Sequence, residues 1–91
     1  MKEKMIEIIK EVLLKVTENE VEAETWNENT DILNEIGLDS IQLIEFLLML
    51  EENVGIEFEY ENLEYDMFSS IRKLADELVE MKRKTKFEAK R

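Results

Sequence analysis

The chain has 91 residues and a formal net charge of −11, and it contains no cysteine, no histidine and no proline. This length accommodates one small domain, and the composition excludes disulfides, thiolate metal sites and catalysis with a histidine base. Only two glycines are present, Gly37 and Gly55, so a β-rich fold with many tight turns is not expected.

The charge is unevenly distributed along the chain. Residues 81–91 hold six basic residues and one acid, which leaves 6 basic and 22 acidic residues in positions 1–80. We therefore expect a folded domain over residues 1–80, with a net charge near −16, followed by a basic tail over residues 81–91, near +5. Because the domain is so acidic, it is not expected to bind nucleic acid. Its charge favours protein partners whose docking patches are rich in lysine and arginine. No apolar run is long enough to span a membrane or to form a signal peptide, so a cytoplasmic location is expected.

The first element is an amphipathic helix, because apolar residues recur at helical spacing between Met5 and Val16. A long polar segment follows as far as Gly37, and a segment of this length is either functional or disordered. Six apolar residues in this segment and directly after it argue against disorder, and we expect them to pin the loop onto the helices, with the tryptophan as a packing anchor: Val21, Trp26, Ile32, Leu33, Ile36 and Leu38.

A second long helix is predicted after this loop. Asp39 is placed as its N-cap, Gln42 completes a capping-box pattern, and Gly55 is placed as the left-handed residue after its end. An extended link to a short helix near residues 61–65 is expected next. A last helix then has the inner face Ile71, Leu74, Ala75, Leu78 and Val79. The predicted fold is a small all-α bundle of three long helices plus one short helix.

The second long helix has more apolar residues than one packed face requires. Its inward stripe consists of Leu43, Phe46, Leu47, Leu50 and Val54. A second stripe lies on another face, flanked by the acids Glu45, Glu51 and Glu52, and consists of Ile41, Ile44 and Leu48. This second stripe is either core, if the helix is central, or an apolar docking strip with an acidic rim. The pattern alone slightly favours core.

Ser40 follows the capping aspartate directly. The chain has no histidine to activate it, position 43 is leucine rather than the lysine of an S-x-x-K motif, and no G-x-S-x-G motif is present. A calcium loop beginning at Asn27 fails, because Ile32 and Leu38 occupy the positions of its glycine and its last glutamate. Ser40 is therefore either a first-turn structural residue or a site that another enzyme modifies, since a helix N-terminus favours a phosphate ester.

The segment IGLDSIQLIEFLLMLEENVGIEF resembles the modification site of the acyl carrier and peptidyl carrier proteins, in which a G-x-D-S motif opens the second helix. NTDILNEIGLDS resembles the end of the family's first loop, and DMFSSIRKLADELVE resembles its final helix, so the likeness covers nearly all of residues 1–80. The resemblance implies that Ser40 bears covalent 4′-phosphopantetheine, that Asp39 is the preceding acid, and that Gly37 and Leu38 complete the motif.

The resemblance also reverses the interpretation of the second stripe. It implies that the partner enzymes dock on the apolar and acidic residues of this face: Ile41, Ile44, Glu45, Leu48, Glu51 and Glu52. Those partners are a phosphopantetheinyl transferase, an acyl- or aminoacyl-activating enzyme, and a downstream synthase or transferase. The chain itself is then a carrier and not an enzyme, because the arm supplies the thiol and the partners supply the catalysis.

The pathway is indicated by one departure from the family pattern. Fatty-acid carriers usually have an acid two residues after the serine, where this chain has Gln42, and this resembles carriers of polyketide and nonribosomal-peptide pathways. The start methionine and the length favour a free-standing carrier, and a monomer is expected. The alternatives are an unmodified acidic adaptor for a basic partner, a fatty-acid synthesis carrier, and a carrier-like domain that encloses its acyl chain.

Overall fold

A computed structural model describes residues 2–88, with the side chains of all of these except 62 and 85–88. This part of the chain is helical and contains no β-strand, which confirms the all-α fold. Among the described residues, no helix has the length and apolar character needed to cross a bilayer. The elements in chain order are α1 (Lys2–Thr17), α2 (Glu20–Ala23), a π-helical turn (Ile32–Ile36), α3 (Ser40–Val54), two 3₁₀ turns (Tyr60–Asn62 and Tyr65–Phe68) and α4 (Ile71–Glu88).

The centre of the bundle is α1, which packs against both α3 and α4. Its apolar stripe supplies the buried residues Met5, Ile9, Val12 and Leu13. Each fully buried aliphatic side chain contributes about 1.5–3 kcal/mol of transfer free energy. The core is completed by Trp26, Ile32, Phe46, Leu47, Leu50, Val54, Ile56, Phe58, Phe68, Ile71, Leu74, Ala75 and Leu78.

The segment between α1 and α3 is folded against the bundle rather than disordered. Trp26 and Ile32 are buried, which confirms that they pin the loop. Leu33, Ile36 and Leu38 pack against the same core and are partly buried. The prediction was wrong for Val21, which is 79% exposed, because α2 is a single helical turn that buries no side chain.

The same loop is fastened to the first turn of α4 by backbone hydrogen bonds. The Ile71 N–H donates to the Thr30 carbonyl (3.0 Å), and the Arg72 N–H donates to the Glu28 carbonyl (2.8 Å). The side chains of Arg72 and Glu28 also form an ion pair. The first N–H groups of a helix have no partner within the helix, so the loop satisfies donors of α4 while α4 holds the loop.

The link between α3 and α4 is extended at first, and Ile56 and Phe58 are buried at alternate positions. In place of the short helix predicted near residues 61–65, the structure has two 3₁₀ turns, Tyr60–Asn62 and Tyr65–Phe68, which overlap the two ends of that range. Neither turn has a side-chain cap, since Glu59 and Glu64 at the two N-cap positions make no capping hydrogen bond.

The last helix continues past the core into the basic segment. Lys82 is half-buried, and its Nζ donates to the Val54 carbonyl at the end of α3 (2.5 Å). The first part of the predicted basic tail is thus a continuation of α4, while residues 89–91 lie outside the described residues.

Candidate functional site

Ser40 is the first residue of α3, and it is exposed. The turn before it ends at Gly37, whose φ of +74° lies in the left-handed region that favours glycine. The partly buried Leu38 then anchors the chain on the core, and Asp39 adopts an extended conformation with ψ of 177°. Each position of the G-x-D-S motif therefore has a local structural role: turn, anchor, cap and exposed hydroxyl.

The cap of α3 is made by Asp39 and Gln42, as the sequence predicts. The Gln42 N–H donates to Asp39 Oδ1 (2.8 Å), and the Asp39 N–H donates to Gln42 Oε1 (3.2 Å). This is a reciprocal capping box. Ser40 takes no part in either hydrogen bond, so the helix start is stabilised without using its hydroxyl.

The approach to Ser40 is held by a second capping aspartate that the sequence analysis did not identify. Asp31 Oδ1 accepts the N–H groups of Leu33 (3.0 Å) and Asn34 (2.8 Å), and Asp31 Oδ2 accepts the Asn34 side-chain amide (2.9 Å). These hydrogen bonds, those from Asn34 first, lower the pKa of Asp31. The signal in the sequence is an aspartate directly before the apolar Ile32, which is the usual pattern of an N-cap.

The second apolar stripe of α3 is exposed, because α1 covers only the other face of the helix. On the inner face Phe46, Leu47, Leu50 and Val54 are buried. On the outer face the exposed fractions are 70% for Ile41, 55% for Ile44 and 51% for Leu48. Three large apolar side chains therefore lie in one open row that begins beside Ser40.

The three acids predicted to flank this row differ in their surroundings. Glu45 and Glu52 are exposed, whereas Glu51 is half-buried. The Phe58 N–H donates to Glu51 Oε2 (2.7 Å), and the Tyr60 hydroxyl donates to Glu51 Oε1 (3.2 Å). Burial and, after it, the hydrogen bond and charge of Glu51 raise the pKa of Tyr60. Glu51 thus holds the segment between α3 and α4 against α3, a role that the sequence analysis missed.

The geometry at Ser40 fits covalent attachment of a phosphate-linked group. The hydroxyl is accessible, and it lies at the positive end of a helix of 15 residues. First-turn N–H groups and the helix dipole stabilise an anion at this position. Because Asp39 supplies the cap, modification of Ser40 leaves the helix start intact.

Comparison with known proteins agrees with this geometry. Residues 3–78 match the family described as PP-binding, the phosphopantetheine attachment site. A curated relative is the acyl carrier protein of Lactobacillus acidophilus (strain ATCC 700396 / NCK56 / N2 / NCFM), which is 45% identical over 38 residues. The aligned segment covers 42% of this chain and 48%, about half, of that relative. No solved structure matches the chain significantly.

Proposed function

Since this chain belongs to the family of the phosphopantetheine attachment site, we propose that Ser40 is the residue that carries the group. Members of this family are carriers rather than catalysts, and their cofactor is covalently bound 4′-phosphopantetheine. When bound, the group supplies a terminal thiol that holds an acyl or aminoacyl cargo as a thioester. The observation that carries the proposal is the exposed Ser40 hydroxyl beside a cap that Asp39 makes without it.

The residues around Ser40 act by positioning it. Gly37 allows the left-handed turn, Leu38 anchors the chain on the core, and Asp39 with Gln42 fixes the first turn of α3. This preorganises the helix N-terminus, whose N–H groups favour the negative charge of a phosphodiester.

Carrier proteins of this family interact with phosphopantetheinyl transferases and with enzymes that handle acyl groups. We assign their docking on this chain to the open row of α3, formed by Ile41, Ile44 and Leu48, together with the adjacent acids Glu45, Glu51 and Glu52. An exposed apolar row with an acidic rim supports a partner whose surface is apolar at its centre and basic around it.

The cargo and pathway belong to the same proposal. Gln42, where fatty-acid carriers usually have an acid, favours a polyketide or nonribosomal-peptide type of pathway, and fatty-acid synthesis is the alternative. We place the carrier domain in residues 1–80 and the protein in the cytoplasm. Loading of the modified protein by a panel of acyl-activating and adenylating enzymes tests the pathway, and efficient loading by a fatty-acid enzyme alone would favour the alternative.

The attachment site is tested by intact mass spectrometry after incubation with a broad-specificity phosphopantetheinyl transferase and coenzyme A. We expect the wild-type mass to rise by one phosphopantetheine, and Ser40→Ala to gain nothing. Ser69→Ala is the matched control, because Ser69 is also exposed but lies before α4, and it should gain the full mass. A mass gain in Ser40→Ala would refute the assignment. No gain in the wild type would favour the unmodified adaptor, whose binding does not depend on Ser40.

A further inference from the structure

Glu51 lies where α3 meets the link to α4. Glu51 lines two neighbouring surface grooves. Leu48 and Glu52 line the first groove, on the open side of α3, and Phe58 lines the second groove, on the side of the link. Both oxygens of its carboxylate accept hydrogen bonds from the link: Oε2 accepts from the Phe58 N–H, and Oε1 accepts from the Tyr60 hydroxyl. Among the described hydrogen bonds, no other charged group joins the two sides through both of its oxygens.

The two hydrogen bonds differ in how easily they are replaced. The Phe58 N–H is partly buried, and its bond of 2.7 Å is short and charge-assisted. The bond from the Tyr60 hydroxyl is longer, 3.2 Å, and exposed, so water or another donor can take its place at little cost. Tyr60 is itself 48% exposed, and the edge of its ring contacts Phe58 with centroids 6.4 Å apart.

We propose that Glu51 is a positioning residue for which Tyr60 and a cationic side chain of a docking partner compete, so that docking on α3 loosens the link from α3. This rests on the proposed function, because it requires partners to dock on the open row. Glu51 follows Leu48 by three residues and therefore lies beside that row. A lysine or arginine in this place brings a full positive charge to the carboxylate, whereas the Tyr60 hydroxyl is an uncharged donor at 3.2 Å.

Because Tyr60 and the partner compete for Glu51, docking on the open row of α3 is coupled to the mobility of the link. With Tyr60 bound, Glu51 holds both Phe58 and Tyr60 against the end of α3. With Tyr60 released, Phe58 remains as the only described donor of the link to this carboxylate. A partner that contacts Glu51 therefore changes the mobility of a segment that it does not itself need to touch.

The resting contact is tested by amide hydrogen exchange of the Phe58 N–H, measured by NMR on the full chain. We expect exchange to be about two- to fivefold faster in Tyr60→Phe, which keeps the ring contact but removes the hydroxyl, and faster again in Glu51→Gln. Tyr65→Phe and Glu52→Gln are matched controls, since both side chains are exposed, and they should leave the rate unchanged. The Ile71 N–H, whose hydrogen bond to the Thr30 carbonyl involves neither Glu51 nor the link, is the reference amide, and its exchange should be accelerated less than that of Phe58. An unchanged Phe58 rate in Tyr60→Phe would overturn the proposal.

The competition is tested with a phosphopantetheinyl transferase as the basic partner, without coenzyme A, so that binding is measured separately from modification. Tyr60→Phe should lower the Kd about two- to fivefold and Glu51→Gln should raise it, and saturating transferase should accelerate exchange at Phe58 in the wild type. A Kd that Tyr60→Phe leaves unchanged or raises would overturn the proposal, as would a transferase that does not bind or that leaves Phe58 exchange unaltered. Failure of the Ser40 assignment alone appears differently, as binding without the mass gain.

Discussion

At the scale of single residues, neighbouring side chains of the same motif have separate tasks. Asp39 caps α3 through the Gln42 N–H, and Ser40, the next residue, is left exposed at the helix start. If the serine were the cap, any modification of its oxygen would remove an acceptor worth about 1 kcal/mol from the helix. Separating the two tasks lets Ser40 be modified without loss of the helix start.

Asp31 makes the stability of the approach to this site dependent on pH. Its pKa is lowered in the folded state by the hydrogen bonds from Asn34 and Leu33. The stabilisation is therefore complete above the unfolded-state pKa, near 3.8, and is lost as the pH falls through the lower folded-state value. Asp31→Asn should lower the free energy of unfolding by roughly 0.3–1 kcal/mol at neutral pH.

Urea unfolding of the wild type and of Asp31→Asn across the acidic range measures this difference, which should shrink towards zero in acid. Glu24→Gln, a change to an exposed acid of the same loop, is the control and should alter stability little at any pH. A difference between wild type and Asp31→Asn that is constant with pH would contradict the role of the charge.

At the scale of the elements, α3 combines two apolar faces on one helix. The inner face packs in the core, and Leu50 on it is fully buried. The outer face is open, and Leu48 on it is 51% exposed. A helix that is apolar on both faces is normally central in a bundle, but here α1 holds the central place, so one face of α3 remains exposed.

The two faces are distinguished by the same substitution at two positions of α3. Leu50→Ala should lower the free energy of unfolding by about 2–5 kcal/mol, because it removes buried contacts and leaves a cavity. Leu48→Ala should change it by less than about 0.5 kcal/mol, while weakening binding of the transferase. Trp26, the single tryptophan and buried, reports unfolding by fluorescence. Equal losses of stability at the two positions would contradict the exposure of the outer face.

At the scale of the whole molecule, the net charge of −11 is expected to lower the stability of the folded state. An excess of one sign repels itself in the compact state and attracts partners of the opposite sign. The ion pairs of the described residues, such as Lys2 with Asp76 (3.1 Å), are exposed, and exposed pairs contribute about 0–1 kcal/mol each. We therefore expect repulsion among the acids to outweigh these pairs.

Salt should consequently stabilise this protein. Raising the NaCl concentration from about 0.01 M to about 1 M shortens the Debye length from about 30 Å to about 3 Å. We expect Tm to rise by about 4–8 °C for each kcal/mol of repulsion that is screened. The same rise in choline chloride would identify general screening as the cause. A fall in Tm with NaCl would show that attractive pairs dominate the charge interactions.

How much could be predicted from the sequence depended on whether a feature is local. The long helices, the capping box at Asp39 and Gln42, and the stop at Gly55 are properties of a few consecutive residues, and they were all predicted. The first helix was predicted to run from about Lys2 to Val16, and it ends one residue later, at Thr17. The left-handed φ of 55° at Glu18, directly after it, was not predicted, because glycine usually signals this conformation and position 18 is glutamate. The outward turn of Val21 was likewise missed, since a single helical turn has no apolar stripe to orient it.

The sequence by itself determined the all-α fold, the caps that place Ser40 at the start of α3, and the presence of two apolar faces on that helix. Periodicity and capping chemistry suffice for these features, because each depends on residues within a few turns of one another. Periodicity left open which face of α3 is exposed and the family resemblance pointed to the second stripe, but the tertiary structure decided it, and the tertiary structure alone showed that the Glu51 carboxylate holds the link through Phe58 and Tyr60. Both depend on which neighbour occupies the space beside a side chain, and for Glu51 that neighbour lies seven to nine residues further on, outside the reach of helical periodicity.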